Sequence, residues 1–198
     1  MLIGIAGRSQ AGKDTVADHL VNCGIVNRKI PLARYLKKLC HEMFNIPMDD
    51  LYEGKDKLTN IKVGESLIQM APSLSSRSGT FLTVREILQY IGTDVLRSIQ
   101  PNCWVNATFN SIEDDESVVI SDVRFPNEIK AIQDRGGIVI RLTRKPTNMD
   151  HSSETLLDNY DGFDIVYHND CETVEETLNG CVEAISRYLK YSGRNHEA

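Results

Sequence analysis

The sequence predicts an α/β fold, helices packed on a parallel central sheet, from two observations. Short, wholly apolar runs such as LIGIA (residues 2–6) and SVVISD (117–122) read as strands buried on both faces. Between them lie stretches whose apolar residues fall three and four apart, the spacing of an amphipathic helix. Strands alternating with helices build a parallel sheet with crossover connections. Ligands of such sheets gather beyond the carboxyl ends of the strands, and the polar motifs of this chain fall at those ends.

Each element follows in order. LIGIA is stopped by Gly7. From Lys13 to about residue 21, Val16, Ala17 and Leu20 share one helical face. RKIPLA admits a second short strand, and RYLKKLCHEMF follows as a helix with Leu36, Leu39, Cys40 and Met43 three or four apart. Residues 45–80 break the pattern. IPMDD, YEGKDK and PSLSSRSG are polar and rich in turn formers, so this stretch is expected to be a partly helical insertion on the acceptor side. TVREILQYIGTDVLRSI is the longest helical pattern of the central part, with a capping box of Thr83 and Glu86 at its start. Gly92 inside it either weakens the helix or marks close packing.

SVVISD is a strand that ends in a carboxylate. PNEIKAIQDRGG opens on a helix-starting proline and closes on a glycine stop. IVIRLT is the next strand, and DIVY (164–167) the last. ETVEETLNGCVEAISRYLK is an amphipathic helix through Val174, Leu178, Cys181, Ile185 and Leu189, and the tail SGRNHEA should fray. At 198 residues the chain is expected to be one domain, residues 1–198, with a sizeable core.

Charge and cysteine usage narrow the function. Twenty-two Lys and Arg against 28 Asp and Glu give a net charge of −6, and no basic stripe exists, so no nucleic-acid partner is expected. The five cysteines are scattered, without a CxxC pair, as for free thiols in a reducing cytoplasm. The start MLIGIAGRSQ lacks the basic beginning and cleavage site of a signal peptide. No apolar run approaches the ~18 residues of a membrane span, so no membrane partner is expected.

GRSQAGKDT (7–15) carries the first chemistry. Gly7 and Gly12 frame four residues and Lys13 follows, the G-x-x-x-x-G-K spacing of a phosphate-binding loop. The glycines let the backbone around Ser9, Gln10 and Ala11 curl until its N–H groups point at phosphate oxygens. The helix beginning near Lys13 adds the positive end of its dipole, and the lysine reaches the β and γ phosphates of a bound triphosphate. Asp14 stands where a Ser or Thr usually holds magnesium. A carboxylate also suits Mg²⁺, so Asp14 is a metal candidate, or else a first-turn acid stabilised by the dipole. Thr15 remains to bond a phosphate oxygen.

Asp122, at the end of SVVISD, is placed as the second magnesium-holding acid of such enzymes, with a turn or helix N-cap as its alternative. Arg124 opens RFPNE at the end of a buried strand, where a guanidinium needs an anionic partner: substrate phosphate, Asp122 or Glu128. LTRKPTNMDHSSE follows the next strand and brings Arg144 and Lys145. Residues 144–160 are therefore a candidate lid that closes over a transferring phosphoryl group, or a solvated basic turn. His151 sits in a polar loop and is not expected to be a base, because phosphoryl transfer rests on positioning and charge neutralisation.

Taken in order, GRSQAGKDTVADHL, REILQYIGTDVLR with NCWV, VVISDVRFPNEIKAIQDRGGIVIRLTR and HSSE resemble the bacteriophage deoxynucleoside monophosphate kinases. The resemblance spans residues 4–169, and the G-K-D-T form of the loop is typical of that group. It implies a three-layer P-loop NTPase fold, nucleoside-monophosphate-kinase-like. It implies transfer of the γ-phosphate of ATP, with Mg²⁺, to a deoxynucleoside 5′-monophosphate for DNA synthesis. By the same resemblance Lys37 and Arg85 bind the acceptor phosphate. Gln89, Thr93 and Asp94 line the nucleotide pocket with Trp104 as a wall. Asp122, Arg124 and Arg144 lie beside the transferring group, and Asn169 lies close to adenine. Relatives suggest a homodimer in the host cytoplasm. Residues 45–80 and the PLARYLK segment depart from the family pattern. Two rivals share the loop: another small-molecule kinase, such as a dephospho-coenzyme A kinase, and a non-catalytic ATP-binding switch.

Overall fold

The structure is a computed structural model that describes residues 1–70, 72–144, 157–171 and 173–193. Most of the candidate lid, including Lys145 and His151 with the rest of HSSE, lies outside the described residues, as do residues 194–198 of the tail. The chain resolves into two compact units, Met1–Leu32 with Thr108–Ala198, and Ala33–Ala107.

The first unit holds the predicted parallel sheet. Its strands are β1 (Leu2–Gly7), β2 (Arg28–Lys29), β5 (Val118–Val123), β6 (Ile138–Thr143) and β7 (Ile165–His168), in the spatial order β2-β5-β1-β6-β7. All pairings are parallel, with Ile3 opposite both Val119 and Ile138. β1 is central because it is apolar throughout, and residues 3–6 are buried. The chain first builds toward β2 and β5, then crosses back to β6 and β7. This reversal puts a crevice at the carboxyl end of β1.

Among the described residues three helices pack on the sheet. α1 (Lys13–Asn22) buries Val16, Ala17 and Leu20, the face foreseen from the sequence. α9 (Val174–Tyr191) packs Cys181 and Ile185 into the same cluster as Ile3, Ile5 and Ile140. Burying each such aliphatic side chain contributes about 1.5–3 kcal/mol. α8 (Pro126–Asp134) starts at the predicted proline. It stops in a Schellman arrangement, Gly136 N–H to Gln133 O at 2.9 Å and Gly137 N–H to Ile132 O at 3.0 Å.

The second unit holds α2 (Ala33–Phe44), α3 (Met48–Tyr52), α4 (Glu65–Met70), a 3₁₀ turn (Pro72–Arg77) and α5 (Val84–Gln89). α5 runs through a π-helical turn (Tyr90–Val95) into α6 (Leu96–Ile99), and α7 (Cys103–Phe109) begins near the unit's end. Two features differ from the sequence expectation. Within residues 45–80, Leu58–Lys62 forms β3, an antiparallel ribbon with β4 (Phe81–Thr83). Its residues are half-buried or exposed, so its composition reads as loop. The long central helix, in turn, widens into a π turn around Gly92. Trp104 Nε1 donates to the Gly92 carbonyl at 2.9 Å, and a Cβ at residue 92 would lie 2.5 Å from Leu36 Cδ2. Gly92 therefore marks close packing. The predicted capping box is present, with Thr83 Oγ1 accepting from Glu86 N–H at 3.3 Å and the Glu86 carboxylate from Thr83 N–H at 2.8 Å.

Candidate phosphate-binding site

At the carboxyl end of β1 the chain curls into the loop that leads to α1. Gly7 has φ +152°, and a Cβ there would sit 2.5 Å from the Leu142 carbonyl oxygen, so both backbone and space demand glycine. Gly12 has φ +90° with nothing within 4 Å of where its Cβ would be, so here the loop faces open space. Gln10 also takes a positive φ, +61°, which costs a non-glycine residue roughly 1–3 kcal/mol. Ser9, Gln10, Asp14 and Thr15 are exposed, whereas Ala11 is buried. Lys13 is 8% exposed and folds back on its own loop, its ammonium donating to Gly7 O at 2.8 Å and Arg8 O at 2.7 Å. No side chain caps α1. The start of the helix, residues 12–16, lines a cleft, an arrangement suited to an anion.

The two candidate metal carboxylates occupy different surroundings. Asp14 is largely exposed. One oxygen accepts from Ser121 Oγ at 3.0 Å and lies 3.6 Å from the Lys29 ammonium, which is itself bound to Asp18 at 2.6 Å. Asp122 accepts from Leu32 N–H at 2.6 Å, just ahead of α2. Ser121 and Asp122 sit where the register slips, three residue steps of β5 (Ile120 to Val123) matching two of β1 (Gly4 to Ala6). Such an irregularity re-aims side chains next to a site. Arg124 is half-buried. Its N–H and that of Phe125 donate to the buried Glu128 carboxylate at 2.7 and 3.1 Å, which fixes the start of α8.

A cleft of about 380 Å³ adjoins the loop. Gln10, Lys13 and Asp14, Arg144 just after β6, and Asn169 and Thr177 are among the residues that line it. Asn169 is held in place by its N–H on Thr143 O at 2.8 Å and by Thr177 Oγ1 donating to its side-chain oxygen at 2.7 Å. The sequence reading placed Asn169 here but missed Cys171, Thr173 and Thr177. Thr173 with Glu176 forms a capping box for α9, a T-x-x-E signal that was legible. Ser121 was not legible, because its partner Asp14 lies 107 positions away. A further unforeseen link joins the loop to Asp158, which accepts from Arg8 Nη2 at 2.5 Å.

The acceptor candidates all belong to the second unit. Lys37 holds its ammonium 3.4 Å from the Tyr52 ring centroid. The exposed Arg85 donates to Asp56 at 3.0 Å. Gln89 ends α5, while Thr93 and Asp94 lie exposed on the π turn. Trp104 is 7% exposed, with its indole N–H engaged by Gly92, so it packs as part of the unit's interior. Beside Asp94, burial pushes the Tyr90 phenol above its ordinary value.

Among the described residues no group of three or more His, Cys, Asp or Glu side chains gathers to hold a metal. Magnesium needs fewer, since it takes one or two carboxylates and fills the rest with water and substrate phosphates. The hard, exposed oxygens of Asp14 at the cleft wall fit that donor set. No helix of the described residues is long and apolar enough to cross a membrane.

The chain matches the deoxynucleotide monophosphate kinase family over residues 38–179, a span that includes Arg85, Asp122, Arg124, Arg144 and Asn169 and leaves out the phosphate loop. It is 30% identical over 205 residues to a protein of Acanthamoeba polyphaga mimivirus, named provisionally as a deoxynucleotide monophosphate kinase. That match covers 93% of this chain and 96% of the viral protein.

Proposed function

From the premise that the chain belongs to the deoxynucleotide monophosphate kinase family, whose members are nucleotide-binding phosphotransferases, we propose that it moves the γ-phosphate of ATP onto a deoxynucleoside 5′-monophosphate, giving the diphosphate. The observation that carries this reading is the uncapped start of α1, which opens on a cleft beside a buried lysine.

The chain's residues divide the work. Main-chain N–H groups of residues 7–15 and the dipole of α1 bind the triphosphate. Lys13, tethered to two loop carbonyls, presents its charge without a search among rotamers, and Thr15 bonds a phosphate oxygen. Asn169 also lines the cleft, where its side chain suits the adenine edge. Asp14, with Asp122, would hold Mg²⁺. When bound, that ion neutralises charge on the β and γ oxygens. Without it Asp14 repels a triphosphate, so ATP and metal are expected to bind together. Arg124 and Arg144 offset the charge that builds as the phosphoryl group moves.

For the acceptor, Lys37 and Arg85 take the phosphate, while Gln89, Thr93 and Asp94 shape the base pocket and buried Trp104 supports it from the interior through its bond to Gly92. The exposed ion pair of Arg85 with Asp56 contributes about 0–1 kcal/mol and is readily exchanged for a phosphate dianion. No covalent enzyme intermediate is required.

The test is ADP release from Mg·ATP, followed across dTMP, dGMP, dCMP, dAMP, their ribo forms and dephospho-coenzyme A. Stimulation by at least one deoxynucleotide is expected. Stimulation by dephospho-coenzyme A alone selects the rival kinase. Slow hydrolysis indifferent to every acceptor selects the switch.

A further inference from the structure

We propose that Asp158 is a positioning residue for the triphosphate: its carboxylate fixes Arg8, and through Arg8 the shape of the phosphate loop. This rests on the loop binding ATP, as argued above. Arg8 directly follows Gly7, and its carbonyl is one of the two that hold the Lys13 ammonium, at 2.7 Å. Its guanidinium reaches both oxygens of Asp158, Nη2 to Oδ2 at 2.5 Å and Nε to Oδ1 at 3.4 Å. Asp158 is anchored in turn. Arg141 of β6 donates to it at 3.0 Å and to the carbonyl of buried Leu157 at 2.8 Å. Arg141 is in register with Ala6 of β1, the residue before Gly7.

The loop needs such a tie. Ser9 and Gln10 are exposed, and Gln10 holds a positive φ that persists only where its surroundings enforce it. The two arginines and one aspartate form charge-assisted pairs, the stronger kind of hydrogen bond, with side-chain exposures of 39%, 17% and 25% for Arg8, Arg141 and Asp158. The trio carries one net positive charge. Removing the carboxylate therefore makes the loop's surroundings more positive. A purely electrostatic role predicts tighter binding of an anion, and a positioning role predicts weaker binding.

Calorimetric titration with Mg·ATP, read beside the melting temperature, separates the two. Asp158→Asn is expected to weaken binding about tenfold, the size of one charge-assisted hydrogen bond. Arg8→Met should do the same, the double variant should be no worse than either single one, and Asp158→Glu should recover part of the loss. Arg141→Met, which leaves the Arg8–Asp158 pair in place, should lower the melting temperature and weaken binding clearly less than Arg8→Met does. If Asp158→Asn does not fold, Arg8→Met against Arg141→Met decides. Unchanged or tighter binding in Asp158→Asn overturns the proposal, as does equal weakening by Arg141→Met. If the wild-type protein itself takes up no Mg·ATP, the functional reading falls and this role with it. Normal wild-type binding with an indifferent Asp158→Asn removes only the role of Asp158.

Discussion

Lys13 is the residue on which the chemistry turns. Its ammonium is buried yet tied to backbone carbonyls, so truncation removes charge from the cleft with little loss of packing. Lys13→Ala is expected to cut turnover by orders of magnitude while circular dichroism stays that of the folded chain; near-normal rates would refute the assignment. Gly7→Ala belongs to the opposite class. Its Cβ meets a backbone oxygen that cannot yield, at a φ that side chains avoid, so a stability loss of about 3 kcal/mol or more in urea unfolding is expected. Asp158 sets an acid limit. The Arg8 guanidinium, chiefly, holds its carboxyl below the ordinary value of 3.8. A depressed folded value stabilises above the unfolded value and is lost as pH falls, so its contribution is complete at neutral pH and disappears only below about pH 4. Asp158→Asn should flatten that acid limb and no other part of the profile. The loop and its lysine were legible because one contiguous motif encodes them. The surroundings of Asp14 were not: Ser121 stands 107 positions away, and only the sheet brings it to the loop.

Elements were legible where local signals coincide. A glycine-stopped apolar run gave β1, the proline and paired glycines gave α8, and Thr83 with Glu86 gave the start of α5. The ribbon of β3 and β4 escaped because strands with little buried surface carry no apolar alternation. The π turn escaped because its cause is tertiary: Trp104, twelve positions on, draws on the Gly92 carbonyl. Two substitutions test these elements by urea denaturation. Thr83→Ala removes an N-cap oxygen and should cost about 1 kcal/mol. Gly92→Ala forces the end of the Leu36 side chain to move, an overpacking expected to cost about 1–3 kcal/mol; an unchanged midpoint would show that the turn tolerates a side chain.

At the scale of the molecule, the parallel sheet with its central β1 gives the loop a rigid base. Burial pushes the Cys40 and Cys181 thiols up to about 11 and about 12, so a thiol reagent should label exposed Cys23 in the native protein and reach those two only on unfolding. Ligand linkage makes a sharper demand. At a hundred times its dissociation constant, Mg·ATP should add about 2.7 kcal/mol of stability. ATP without metal should add far less, because Asp14 then faces the triphosphate unneutralised. The most direct measurement of the central claim follows the γ-phosphate itself, with ATP labelled at that position and a deoxynucleoside monophosphate as acceptor. The label is predicted to appear in the deoxynucleoside diphosphate, with Mg²⁺ present and Lys13 intact. Label released only as inorganic phosphate, whatever the acceptor, would contradict the account.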